Sequence, residues 1–216
     1  MSELSDFQRP APNLIEACKQ FPPAVLGDAM GRTGCMDSGI KPFVAGARVC
    51  GPALTVRCYP GDNPMCHYGL YVARAGDVLV VDGSGYTEGA LWGGLLSLSA
   101  RQKRLAGTII DGAARDLEDL REIGYPVYAR AVTQRGVFKT IKGQIHVAVH
   151  CGGVTVHPGD VVVGDENGIV VLPSSRVSQI IEEARKVLNK EREIVGEIEK
   201  GRTIYETLKL DQYFRE

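Results

Sequence analysis

Between residues 76 and 130 the chain repeats one unit that restricts its fold more than any other feature. "GDVLVVDG" (76–83) is an aliphatic run bounded by glycine and aspartate. "GGLLSLSARQKRL" (93–105) has the spacing of a helix, and "AGTII" (106–110) reads as the next strand. "AARDLEDLREI" (113–123) reads as a helix closed by Gly124, and "YPVYAR" (125–130) as a third strand. A strand that is apolar throughout is buried on both faces. Strands separated by single helices join through right-handed crossovers. The expected class is therefore α/β, with a parallel portion in the sheet.

The flanking segments extend this pattern. Residues 1–12 are polar, with two prolines, and are expected to form a loose arm. "NLIEACKQ" predicts a short helix capped by Asn13, and a second short helix is expected around 24–31. "FVAGARVCGPALTVRCY" (43–59) reads as two strands separated at Gly-Pro, and 63–74 as a helix. In 144–173, Gly-Gly, Pro-Gly-Asp and Asp-Glu-Asn-Gly fall at hairpin spacing. A long helix is expected over 176–199, followed by a shorter helical tail. No shift in composition marks a boundary. The reading is one domain over residues 1–216, with a core at about 25–173, a β-rich second layer, and C-terminal helices at about 176–214.

Charge and cysteines narrow the function classes. A formal net charge of −1 over 216 residues gives no general electrostatic footprint for nucleic acid or an anionic membrane, so neither is expected as a partner. The six cysteines form no CxxC pair and no zinc-finger spacing, which fits reduced, mostly buried thiols in a cytoplasmic protein. "MSELSDFQRP" lacks the basic-then-apolar pattern of a signal peptide, and no apolar run is long enough to span a bilayer. His67, His146, His150 and His157 show no ligand spacing, and no lysine is marked out for Schiff-base chemistry.

Three features carry possible chemistry. In "IIDGAARD" (109–116) the strand is expected to end near Ile110, which places Asp111 at its carboxyl end, where α/β sheets bind ligands. Arg115 and Asp116 then fall in the first helical turn. An aspartate there is favoured by the helix dipole, whereas an arginine opposes it. The same residues also fit a capping Asp111 beside a solvated Arg-Asp pair. In "EGALWGGLLSLSA" (88–100) a helix starting at paired glycines exposes the N–H groups of Gly94, Leu95 and Leu96 to a carboxylate or phosphate. The glycines equally fit close packing through small residues. No GxxxxGK[ST] or GxGxxG follows a strand. Consecutive βα units lie side by side, so the two features are expected to be neighbours. Together they describe a clamp for a 2-oxo acid, with one carboxylate left for a hard cation. Finally, Glu191 lies within the apolar stripe Val177, Ile181, Ala184, Leu188, Val195 and Ile198 of the last long helix. It is either a charge in need of a partner or an edge position that reaches solvent.

The ordered motifs "GPALTVRC", "GDN", "GDVLVVDG", "WGGLL", "GTIIDGAARD", "GYPVYAR", "CGGVTVHPGDVVVGDENGIVVLP" and "NKE" resemble the RraA-like family, over roughly residues 25–210. That family includes the 4-hydroxy-4-methyl-2-oxoglutarate/4-carboxy-4-hydroxy-2-oxoadipate aldolases. It also includes members that bind and inhibit ribonuclease E. The resemblance implies a swivelling β/β/α fold in homotrimers or homohexamers, with sites between subunits. It implies that Gly93, Gly94, Leu95 and Leu96 present backbone donors to a pyruvyl carboxylate and that Arg115 contacts the substrate's carboxylate and carbonyl. It further implies that Asp116 binds Mg²⁺ or Mn²⁺, and that Glu191 reaches the metal's water shell from a neighbouring subunit. The implied activity is metal-dependent release of pyruvate from a 4-hydroxy-2-oxo dicarboxylic acid, with oxaloacetate decarboxylation beside it. One position departs from the pattern. In the aldolases the residue after the first glycine of GxxL is commonly acidic and helps move a proton to the enolate; here it is Gly94.

Overall fold

The computed structural model describes residues 6–214. Two short helices, α1 (Pro12–Cys18) and α2 (Pro23–Ala29), lead into β1 (Lys41–Pro42) and β2 (Val49–Arg57). Then come α3 (Pro64–Val72), β3 (Val78–Trp92), α4 (Gly94–Gln102), β4 (Gly107–Ala114), α5 (Leu117–Ile123) and β5 (Val127–Val132). Five short strands follow: β6 (Gln144–Ile145), β7 (Val149–Cys151), β8 (Val154–Val156), β9 (Val161–Gly164) and β10 (Ile169–Leu172). The chain ends with α6 (Val177–Glu199), α7 (Ile204–Thr207) and a 3₁₀ turn at Leu210–Tyr213.

β2, β3, β4 and β5 are parallel neighbours, joined through α3, α4 and α5, as the strand-helix repeat predicts. Antiparallel β9 and β10 extend the sheet beyond β2, and β1 closes its other edge against β5. The period of two sorts the core. Leu54, Val56, Leu79, Val81 and Ile110 face α3–α5, while Ala53, Val78, Val80 and Ile109 face the β7–β8 layer. A third cluster packs α1, α2 and the first half of α6 on Val161, Val163, Val170 and Leu172. This is a mixed α/β domain with a β-rich layer and a C-terminal helix.

The segment expected as two strands around Gly51-Pro52 is a single strand. Val49–Pro52 pair with β9 and Ala53–Arg57 pair with β3, so the Gly-Pro is where one strand changes partners. Gly51 is required there, because a Cβ would lie 2.1 Å from the Gly76 carbonyl oxygen. Helix α1 begins at Pro12 rather than being capped by Asn13, and Ala11 is its N-cap. Proline's fixed φ suits a first helical position. The arm is not loose over its described part. Arg9 makes two hydrogen bonds to the fully buried Asp77, at 2.7 and 2.8 Å, and Phe7 packs edge-on against His146. Residues 1–5 lie outside the described residues. All six cysteines are unbridged, and Cys18, Cys58, Cys66 and Cys151 are buried. No helix among the described residues is long and apolar enough to cross a membrane.

Candidate active site

Strand β4 does not stop at Ile110. It continues through Asp111-Gly112 to Ala114, buried along its whole length. In the β3–β4 register Asp111 lies opposite Asp82, so two aspartates sit side by side in the sheet interior. Both are fully engaged. Asp111 accepts hydrogen bonds from Arg130 Nε, from Arg130 Nη2 at 3.3 Å and from the Gly152 N–H at 2.7 Å. Asp82 accepts from Arg57 Nε at 3.2 Å and from the N–H groups of Ser84 and His150 at 3.0 and 3.2 Å. The two aspartates fasten the β7–β8 hairpin to the sheet. Asp111 therefore neither ends the strand nor caps a helix, contrary to the expectations from sequence. Its carboxylate, with that of Asp37, holds the Arg130 guanidinium in its charged form and raises its pKa.

Because β4 is longer than expected, Arg115 and Asp116 precede α5 instead of occupying its first turn. The Arg115 N–H still bonds to the Trp92 carbonyl at 3.0 Å, a final rung between β4 and β3. Asp116 is the N-cap of α5, in the left-handed region at φ 61°, ψ 47°. Aspartate visits that region more readily than most residues, at a cost of about 1 kcal/mol or more. Its side chain does not cap its own helix. It reaches across to α4 and accepts the Gly94 N–H at 3.1 Å, while Arg115 Nε lies 3.5 Å from the same carboxylate oxygen. Both side chains stay open to solvent, 45% exposed for Arg115 and 36% for Asp116.

The two glycines are needed for space. A Cβ on Gly93 would lie 2.5 Å from Asp116 Oδ2 and 3.2 Å from Arg115 Cγ. A Cβ on Gly94 would lie 2.7 Å from Asp119 Oδ2. Gly93 is the N-cap of α4, so the N–H groups of Gly94, Leu95 and Leu96 belong to its first turn and have no partner within their own helix. The turn is held rigidly: the Trp92 indole N–H donates to Ser97 Oγ at 2.7 Å, and the Ser97 N–H to the Gly93 carbonyl at 3.1 Å. The two helix starts thus meet as the sequence implied, with Arg115 and Asp116 on one and the 93–96 backbone on the other.

A loop over residues 133–143 borders this group and was not legible in the sequence. Asp62, nearly fully buried, accepts from Thr140 Oγ1 at 2.6 Å and from the N–H groups of Thr140 and Ile141 at 2.9 and 3.1 Å. The loop brings Gly136 against the Arg115 guanidinium, where a Cβ would lie 3.0 Å from Nη1. Glu191 is not brought to this group within the chain, since α6 packs with α1 and α2. Val177, Ile181 and Ala184 of its stripe are buried, whereas Val195 and Ile198 are 52% and 43% exposed, and Glu191 lies in that exposed half of α6. The stripe is therefore a core seam for its first half only.

Fold and site together define an α/β protein in which Arg115, Asp116 and the start of α4 gather at the carboxyl ends of adjacent parallel strands, where such sheets place their sites. The chain belongs to the RraA-like family, whose profile, described as Aldolase/RraA, matches residues 11–171. It is 39% identical over 133 residues to the 4-hydroxy-4-methyl-2-oxoglutarate aldolase of Thermus thermophilus, covering 62% of this chain and 80% of that one. Its fold matches that of an uncharacterized protein from Pseudomonas syringae pv. tomato with a TM-score of 0.83 and 29% identity, over 95% of this chain and 97% of the other. It also matches the RNA-processing inhibitor RraA of Thermus thermophilus with a TM-score of 0.66 and 35% identity, over 71% and 93%.

Proposed function

We propose that this protein is a divalent-metal-dependent aldolase. In this reading it releases pyruvate from a 4-hydroxy-2-oxo dicarboxylic acid of the 4-hydroxy-4-methyl-2-oxoglutarate type and decarboxylates oxaloacetate as a second activity. The observation that carries the reading is the convergence of Arg115, Asp116 and the Gly94 N–H, with contacts of 3.5 and 3.1 Å. The first-turn N–H groups of α4 take the substrate carboxylate. Arg115 clamps that carboxylate and the adjacent carbonyl in a fixed fork. The relative named as an aldolase supports the chemistry.

The residues suit a hard, largely hydrated cation. Gly93 leaves the Asp116 carboxylate a cradle that any side chain would fill. Mg²⁺ is commonly held through one or two carboxylates with substrate and water, so Asp116 would hold Mg²⁺ or Mn²⁺ in that way. When bound, such an ion supplies Lewis-acid stabilisation of negative charge on the 2-oxo group. In a homotrimer or homohexamer, Glu191 of a neighbouring subunit would reach the waters of such an ion, which would give the exposed half of α6 a partner.

Pyruvate release is measured from 4-hydroxy-4-methyl-2-oxoglutarate and from oxaloacetate, with Mg²⁺ and with EDTA. Turnover of at least one substrate that EDTA removes is expected; none from either overturns the reading. Arg115→Ala is expected to raise KM by about 10–100-fold with a smaller effect on kcat, the equivalent of one or two charge-assisted hydrogen bonds. A fall in kcat at unchanged KM argues against a clamp. The second reading is a non-enzymatic regulator that binds ribonuclease E, favoured by the relative titled an RNA-processing inhibitor. A pull-down that recovers no ribonuclease, alongside measured aldolase turnover, discards it.

A further inference from the structure

Asp119 has no part in the clamp, yet it lies on it. It is the third residue of α5, one helical turn after Asp116, and is solvent-exposed. At that position an acid ordinarily does no more than favour the helix dipole. Here its side chain leans onto the start of α4. Asp119 Oδ2 lies 2.7 Å from the point where a Cβ on Gly94 would be, and Asp119 Cβ lies 3.0 Å from it. The Asp119 carboxylate therefore occupies the space into which a side chain at residue 94 would project. It does so beside the N–H groups that hold the substrate carboxylate, whereas Asp116 is engaged by the Gly94 N–H and Arg115.

Resting on the aldolase reading above, we propose that Asp119 is the catalytic residue that carries the proton in this enzyme. Its carboxylate takes the proton of the substrate's C4 hydroxyl as the C3–C4 bond breaks. The O–H electron pair becomes the new carbonyl bond of the departing product. The C3–C4 pair becomes the C2–C3 double bond of the pyruvate enolate, and the C2 carbonyl pair moves onto oxygen. Asp119 then returns the proton to C3, the methyl group of pyruvate forms, and the carboxylate is regenerated. No oxidant, reductant or further reactant is needed. Gly94 is the other half of the device, since any side chain there would displace the acid.

Two rates are compared in wild type, Asp119→Asn and the exchanged pair Gly94→Asp with Asp119→Gly. One is pyruvate release from 4-hydroxy-4-methyl-2-oxoglutarate. The other is the exchange of pyruvate's methyl protons with solvent deuterium, followed by NMR, which reads enolate protonation without carbon–carbon cleavage. Asp119→Asn is expected to slow both rates by about 100-fold or more, the usual yield of a positioned acid or base, with KM within about twofold. The exchanged pair puts an acid back into the same volume and is expected to recover at least a tenth of wild-type exchange. Exchange in Asp119→Asn within about threefold of an active wild type overturns the role of Asp119 and leaves the aldolase reading standing. So does a loss that the exchanged pair does not recover. A wild type inactive in both assays overturns the aldolase reading, and the proton role falls with it.

Discussion

Asp116→Asn is expected to lower metal-dependent pyruvate release by about 1000-fold, a loss of about 4 kcal/mol of transition-state stabilisation, without unfolding the protein. Asn is the informative replacement because Asp116 does two things. Its backbone holds the left-handed turn between β4 and α5, and its side chain accepts the Gly94 N–H. Asparagine tolerates that backbone region and keeps a carbonyl acceptor, so both structural tasks survive. What disappears is the negative charge on an open carboxylate. Asp116→Ala removes the acceptor as well and adds about 1–2 kcal/mol of left-handed strain, so it should be both inactive and less stable. Titration with Mn²⁺ by calorimetry checks the cause independently of turnover: binding seen in wild type should be lost in Asp116→Asn. Retained activity within about tenfold, or unchanged Mn²⁺ binding, would show that Asp116 is not the metal ligand.

The strand-helix repeat was legible because its signals are local. Aliphatic runs, glycine stops and the left-handed Gly124 after α5 each act within a few residues. The errors share a different cause. A charged residue inside an aliphatic run reads as the end of a strand, and Asp111 was read that way. What keeps β4 going past it is Arg130 and the Gly152 N–H, which lie 19 and 41 residues away in the sequence. The Gly-Pro in β2 was likewise read as a break, since a change of sheet partner leaves no local mark. At the site, Arg115 and Asp116 stood out because an arginine near a helix start opposes the dipole. Asp119 did not, because an acid in a first turn is what the dipole favours. Only the packing of α4 on α5 shows its carboxylate against Gly94. Glu191 is the converse case: the sequence marks it, and the fold of the chain leaves it facing solvent.

The largest stability effect is expected at the ion pair that joins β4 to β5. Arg130→Ala should destabilise the fold by about 3–5 kcal/mol, the usual consequence of removing one partner of a buried ion pair. Asp111 has a side chain only 8% exposed, and Arg130, 25% exposed, is its charged partner. Arg130 also reaches Asp37 at 2.7 Å, so it ties the segment before β1 to β4 and β5. Without it the Asp111 carboxylate keeps the Gly152 N–H but loses its counter-charge. A loss of this size is a large share of the 5–15 kcal/mol typical of whole domains. The discriminating measurement is urea unfolding of Arg130→Ala, Asp111→Asn and the double variant. If the damage comes from an uncompensated buried charge, neutralising that charge should repair part of it. The double variant is then expected to be more stable than Arg130→Ala alone, by about 1 kcal/mol or more of coupling between contacting residues. If the guanidinium acts mainly by filling space, the two losses should add instead. Because Asp111 lies on the buried strand that ends at Ala114, one residue before Arg115, the order of the clamp depends on this pair. In Arg130→Ala, kcat should fall along with stability, although Arg130 never touches substrate.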